Sequence, residues 1–159
     1  MIKDSEIVKI GNPLLRKKTA KVVKFDKNLR DTVQKMKEIM IANNGVGISA
    51  NQVGLNIQVS IARPKDKFYV FINPEITPID EPTFMEEGCL SVPEKFGLVK
   101  RHNKVKIKYQ DLRGKQRSLT ATGFLAHIIQ HEIDHINGML FVDKANEIYE
   151  IDNSQKTQN

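Results

Sequence analysis

Apolar residues recur at two different periods along this chain. Over residues 26–43, DKNLRDTVQKMKEIMIAN, Leu29, Val33, Met36 and Met40 fall three or four apart, a spacing that gathers them on one stripe of an α-helix. Asp26 is placed to cap its first turn and Asn44-Gly45 to stop it. The middle of the chain changes period. The segments IQVSIA (57–62), FYVFIN (68–73), VKIKYQD (105–111) and QRSLTAT (116–122) are rich in β-branched residues and partly alternate, as half-buried strands do. Asp111-Leu112-Arg113-Gly114 between the last two predicts a hairpin loop. After Gly123 the helical period returns in Phe124, Leu125, Ile128, Ile129, Ile133 and Ile136, and Asn137-Gly138 closes it. These elements predict an α+β fold in which short, mostly antiparallel strands pack around a buried C-terminal helix.

A chain of 159 residues with 40% apolar and 28% charged positions has the size and composition of one globular domain. We find no repeat, low-complexity tract or linker, so a single domain over 1–159 is expected, ending in a polar tail at 144–159. No apolar run approaches the ~18 residues of a membrane span, and the N-terminus MIKDSEIVKI has no signal or transit layout. A cytoplasmic protein is the expectation. The net charge of +6 is spread through LRKKTAKVVK and VKRHNKVKIKYQDLRGKQR; solvated strand and helix faces account for it, with attraction to a polyanion such as ribosomal RNA as the other reading.

The chemistry lies on the last helix. In QHEIDH, His131 and His135 are four apart, which places two imidazoles on one helix face with Cβ atoms roughly 6 Å apart. They can converge on one metal ion. Glu132, rotated by about 100°, can stand beside that ion without binding it, as a general base toward a water the ion activates. Asp134 can orient an imidazole N–H or simply be solvated. His127 is also four from His131, but it would lie about 12 Å from His135 along the axis, too far to share an ion bound at roughly 2 Å. It reads as a surface or internally satisfied histidine, and His102, in a basic loop, has no metal partner in view.

A catalytic site of this type wants three protein ligands and one open position. No histidine follows His135, and Glu147 and Glu150 sit in the polar tail. The better source is upstream, in EEGCLSVPE (86–94), where Cys89 offers a thiolate; with two imidazoles it makes a sound set for Zn(II) or Fe(II). A third stretch, GVGISANQVG (45–54), carries two glycines that let a ligand approach the backbone and presents the Gln52 amide. It is alternatively a tight turn after the first helix.

Taken together, GVGISANQ, EGCLS and QHEIDH resemble the three ordered motifs of the peptide deformylases, and IVKIGNPLLRKK resembles the family's opening. The likeness runs from about residue 5 to residue 143. It implies a hydrolase that removes the formyl group from the N-terminal formylmethionine of new proteins and releases formate. It further implies Cys89, His131 and His135 as ligands of one divalent metal, Fe(II) natively with Zn(II), Ni(II) or Co(II) as substitutes. Glu132 becomes general base and proton shuttle. Gln52 and the Leu90 N–H help stabilise the oxyanion, and backbone at Val46, Gly47 and Gly88 pairs with the substrate as an added strand. Leu125 and Ile128, one turn before His131, are expected to face a methionine pocket with Val46 opposite. Ser49 stands where the family commonly has alanine, and Asn51 where proline or a small residue is frequent. The implied partners are N-formylmethionyl peptides and nascent chains, with the ribosome as a candidate although the tail lacks the long basic helix by which some relatives dock there. Neither DNA nor a membrane is expected as a partner, and the protein is expected to be a monomer. Two other classes fit the helix motif alone: an HExxH metallopeptidase cutting internal bonds, and a non-catalytic, metal-stabilised RNA-binding module. The first lacks its downstream ligand here; the second leaves Glu132 without a task.

Overall fold

The computed structural model describes residues 6–150. Two helices and eight strands follow one another along it: α1 (Lys27–Ala42), β1 (Gly47–Ser49), β2 (Val59–Ala62), β3 (Tyr69–Pro78), β4 (Pro82–Cys89), β5 (Val92–His102), β6 (Lys104–Gln110), β7 (Gln116–Thr122), α2 (Gly123–Ile136) and β8 (Glu147–Glu150). The fold is α+β with antiparallel strand pairs throughout its two sheets, one ordered β1-β2-β3-β6-β7 and the other β4-β5-β8. None of its helices is long and apolar enough to cross a membrane.

Local chemistry explains the helix limits. The Asp26 carboxylate accepts from the Leu29 N–H at 3.0 Å, satisfying one of the first-turn donors of α1. The predicted stripe of Leu29, Val33, Met36 and Met40 is buried, joined by Ile39. These side chains meet Ile48, Val59, Ile61 and Ile72 in the first core cluster. Asn44 adopts a left-handed backbone, φ 56°, which asparagine tolerates better than most residues.

Helix α2 lies inside the molecule, with ten of the eleven residues from Ala126 to Ile136 buried and His127 the exception. Ile128, Ile129 and Ile133 pack on Val105, Ile107 and Ala121 of β6 and β7 and on Phe71 of β3. Its end is fixed by Gly138, whose backbone sits at φ 79° and so close to the Arg16 carbonyl that a Cβ would lie 2.6 Å from it.

Strands β4, β5 and β8 were not legible as such. The stretch 82–102 pairs as a long hairpin, β4 with β5, with a register shift between Gly88 and Cys89. Part of the polar tail pairs as well: Glu147 to Glu150 lie opposite Leu98 to Lys95. The tail residues 151–159, and the first residues of the family-like stretch at its residue-5 boundary, fall outside the described part.

Candidate active site

A cleft of about 550 Å3 opens between the two sheets, lined among others by Val46, Gly47, Gln52, Gly88, Cys89, Leu90, Ile128, His131 and Glu132. β1 is the outer strand of one sheet and β4 of the other, so the cleft runs between two strand edges. At its floor, Cys89 Sγ lies 3.2 Å from His135 Nε2, and that nitrogen lies 3.0 Å from His131 Nε2. The three ligand atoms are within 4.8 Å of one another. The register shift before Cys89 turns its sulfur inward from the end of β4. The helix repeat supplies the other two ligands.

These atoms fit a metal. The His131 Nδ1–H donates to Glu87 Oε2 at 2.6 Å, which leaves the Nε2 lone pair turned toward His135 and Cys89. Lone pairs on two nitrogens and a sulfur that converge in a buried space repel unless a positive charge sits among them. The protonation balance says the same. Burial and the neighbouring His131 push His135 well below its ordinary value. At His131 burial is outweighed by hydrogen bonds with Cys89 and Glu87, which raise it well above. The pocket accepts one positive charge, and a thiolate with two imidazoles is a donor set suited to a borderline divalent ion.

Glu87 is the residue whose role the sequence did not disclose. Its carboxylate is buried and takes Arg101 in a two-point grip, 2.8 Å from Nε to Oε1 and 2.8 Å from Nη2 to Oε2. His127 Nε2 lies 2.8 Å from Oε1, so His127 is satisfied by Glu87 and takes no part in the ligand cluster. Although burial works against its charge, the hydrogen bonds from Arg101, His127 and His131 hold Glu87 far below its usual range. Arg101 Nη1 also donates to Asp134 Oδ2 at 2.7 Å, and Lys144 Nζ to Asp134 Oδ1 at 2.9 Å. Asp134 therefore orients no imidazole directly; it holds the arginine that holds Glu87. The signal in the sequence was the second acid of Glu86-Glu87 beside the cysteine, but Arg101 was hidden in a run of basic residues.

Glu132 stands next to the ligands, 4% exposed. Burial is the main cause that pushes its carboxyl up to about 7, a range in which a carboxylate can both take and give a proton. Gly47 must be glycine here: a Cβ would lie 2.7 Å from Glu132 Oε1 and 2.7 Å from Ile128 Cγ2. Gln52 is held at both ends, its Oε1 accepting from the Ser49 N–H at 2.9 Å and its Nε2 donating to Ser91 Oγ at 3.1 Å. The same Nε2 lies 3.7 Å from the Cys89 sulfur, at the cleft floor. Lys9 Nζ donates to the Leu90 carbonyl at 3.0 Å, tying down the turn that carries the Leu90 N–H.

Of the expected pocket residues, Val46 and Ile128 line the cleft but Leu125 does not. Leu125 packs with the second core cluster, against the sheet. Phe124, one position earlier and 52% exposed, forms the cleft wall instead; a shift of one residue turns a helical side chain by about 100°. Glu147 and Glu150 are exposed on β8, outside the ligand cluster.

The fold and this floor define a metal-dependent hydrolase of the HExxH kind with a cysteine beside the two histidines. Residues 4–150 match the family model described as polypeptide deformylase, and the chain belongs to that family. It is 42% identical over 140 residues to the peptide deformylase of Dictyoglomus turgidum, covering 88% of this chain and 92% of that one. Identity to the Helicobacter hepaticus peptide deformylase is 46% over 147 residues, with 87% and 81% covered. The crystal structure of the Thermotoga maritima enzyme superposes with a TM-score of 0.86 at 40% identity, covering 89% of this chain and 97% of that chain.

Proposed function

We infer that the protein is a peptide deformylase, hydrolysing the formyl amide at the N-terminus of N-formylmethionyl chains and releasing formate. The convergence of Cys89, His131 and His135 beside a buried Glu132, on the floor of a cleft between two strand edges, carries this reading. Cys89, His131 and His135 are the residues that would hold the ion. When bound, a divalent metal polarises a carbonyl and makes water acidic enough to ionise near neutral pH.

The residues of the chain do the rest. Glu132 takes the proton of the attacking water at Oε1, the oxygen beside Gly47, and returns it to the departing amine nitrogen as the carbon–nitrogen bond breaks. The Gln52 amide and the Leu90 N–H face the oxyanion that forms in between; one such donor is worth about 3 kcal/mol. The free edges of β1 and β4 take the substrate backbone as an added strand at Val46, Gly47 and Gly88. Val46 and Ile128, with Phe124 in the place expected for Leu125, receive the methionine side chain. Fe(II) is the native ion in this reading, with Zn(II), Ni(II) and Co(II) able to substitute. The enzyme works as a monomeric single domain in the cytoplasm on nascent chains, with the ribosome as a candidate partner.

Formate release from a formyl-Met peptide, with and without chelator, tests the reading. Release should stop with chelator and return with added metal. A formyl-Ala peptide should be at least about tenfold poorer in kcat/KM, because two to three methylene equivalents at ~0.8 kcal/mol each are lost. Comparable rates on acetyl-Met peptides would overturn it, as would cleavage of internal peptide bonds.

A further inference from the structure

Glu132 is the general base of the proposed reaction, yet among the described residues no cation pairs with it. The side chain that hydrogen-bonds its carboxylate is Ser49, whose Oγ lies 2.7 Å from Glu132 Oε2. The same oxygen is 2.9 Å from the Glu132 carbonyl and 2.9 Å from Ser60 Oγ. Both serines are at most 1% exposed. Strand register sets this pair, because Ser49 in β1 lies directly opposite Ser60 in β2. A slip of one residue would turn both hydroxyls away.

We propose that Ser49, backed by Ser60, is a positioning residue for this enzyme: it fixes Glu132 Oε2 so that Oε1 stays turned to the cleft. The proposal rests on the deformylase reading. A hydroxyl has one proton, and of the three acceptors around Ser49 the carboxylate oxygen is the nearest, at 2.7 Å against 2.9 Å for each of the others. Ser49 therefore donates to Oε2, and the proton of Ser60 is left for Ser49 Oγ or, at 3.5 Å, the Glu132 carbonyl. Oε1 is then the oxygen beside Gly47, free for water. The carboxylate of a glutamate turns about a soft terminal torsion, so without this donor the two oxygens lose their fixed assignment.

Ser49→Ala should lower kcat on a formyl-Met peptide about tenfold, with KM, metal content and melting temperature little changed. In a Glu132→Asp background, where the shortened carboxylate withdraws from the hydroxyl, Ser49→Ala should change kcat by less than twofold. Infrared difference spectra of the metal-free proteins supply a readout independent of turnover. Ser49→Ala should shift a carboxyl band, and that shift should vanish in a Glu132→Gln background. Ser60→Ala, which leaves Ser49 in place, should give a smaller fall in kcat of the same kind and serves if Ser49→Ala does not fold. An unchanged kcat, an equal loss in the Glu132→Asp background, or a change confined to KM or metal content would overturn the proposal. Failure of the wild-type protein to release formate would instead remove the deformylase reading, with the infrared shift still standing.

Discussion

Replacing Arg101 with leucine removes a guanidinium that is 3% exposed and serves two buried carboxylates, Glu87 with two bonds and Asp134 with one. Leucine restores part of the volume but none of the charge. Taking away one partner of a buried ion pair costs about 3–5 kcal/mol, because the other charge is left uncompensated. Here Glu87 keeps His127 and His131, and Asp134 keeps Lys144, so the lower end applies, about 3 kcal/mol. At roughly 2–4 °C per kcal/mol for a chain of this size, the melting temperature should fall by about 6–12 °C. The same change loosens the carboxylate that orients His131, and metal affinity should drop by at least about tenfold. Thermal unfolding of the metal-free proteins separates the first effect from the second, and competition with a chelator then measures affinity. Added salt should not mimic the substitution, because the pair is screened from solvent. A metal-free melting temperature within about 2 °C of wild type, together with unchanged affinity, would refute the claim that Arg101 holds the site through Glu87.

Glu132→Gln should retain the metal and lose nearly all turnover, since an amide keeps the shape but cannot accept the proton; full activity would remove its role as base. Cys89→Ser should weaken metal binding, a hydroxyl being a far poorer ligand than a thiolate, and unchanged metal content by elemental analysis would mean that the third ligand lies elsewhere. Acid stability follows from Glu87. Its carboxylate is held below an ordinary value of 4.5, so it contributes stability that is fully present above that pH and drains away as the pH falls below it. Chemical denaturation between neutral and acid pH should show this decline, and Glu87→Gln should flatten it; an equally steep decline in that variant would assign it to other groups.

How far the site could be read from the chain depended on distance along it. His131 and His135 are one helical turn apart, and their spacing alone places them on one face with Glu132 beside it. Leu29, Val33, Met36 and Met40 were legible for the same reason, and Asp26 as the cap before them. Cys89 was reached as the better soft donor upstream, for want of a histidine after His135, since nothing local says that the end of β4 reaches α2. The β4–β5 hairpin escaped because its stretch is interrupted by proline and glycine and is heavily charged, so it alternates poorly although it pairs over its length. Glu87 and Arg101 were not legible as partners. Their grip spans 14 positions, and Glu87 reaches 44 positions on to His131, separations over which neither period says anything. Leu125 lies one position from Phe124, which lines the cleft: the apolar period gives the face of α2 but not which neighbour looks into the cleft and which into the sheet.

The two sheets share no strand, yet the three ligand atoms come from both sides of the division, Cys89 from the second sheet and the histidines from the helix that packs on the first. This sets an order in time. Cys89 and His135 are 46 positions apart, and a late meeting of the three donor side chains, after both sheets have docked, is the order we expect. An ion held by Cys89, His131 and His135 would then be a latch closed last, holding the halves together without helping them find one another. Its loss should quicken opening and leave closing almost untouched, which stopped-flow rates with and without chelator would separate. On a chain emerging from synthesis the latch is later still, because α2 begins only at Gly123. Until most of the polypeptide has been made, the cysteine and its turn wait with nothing to close on.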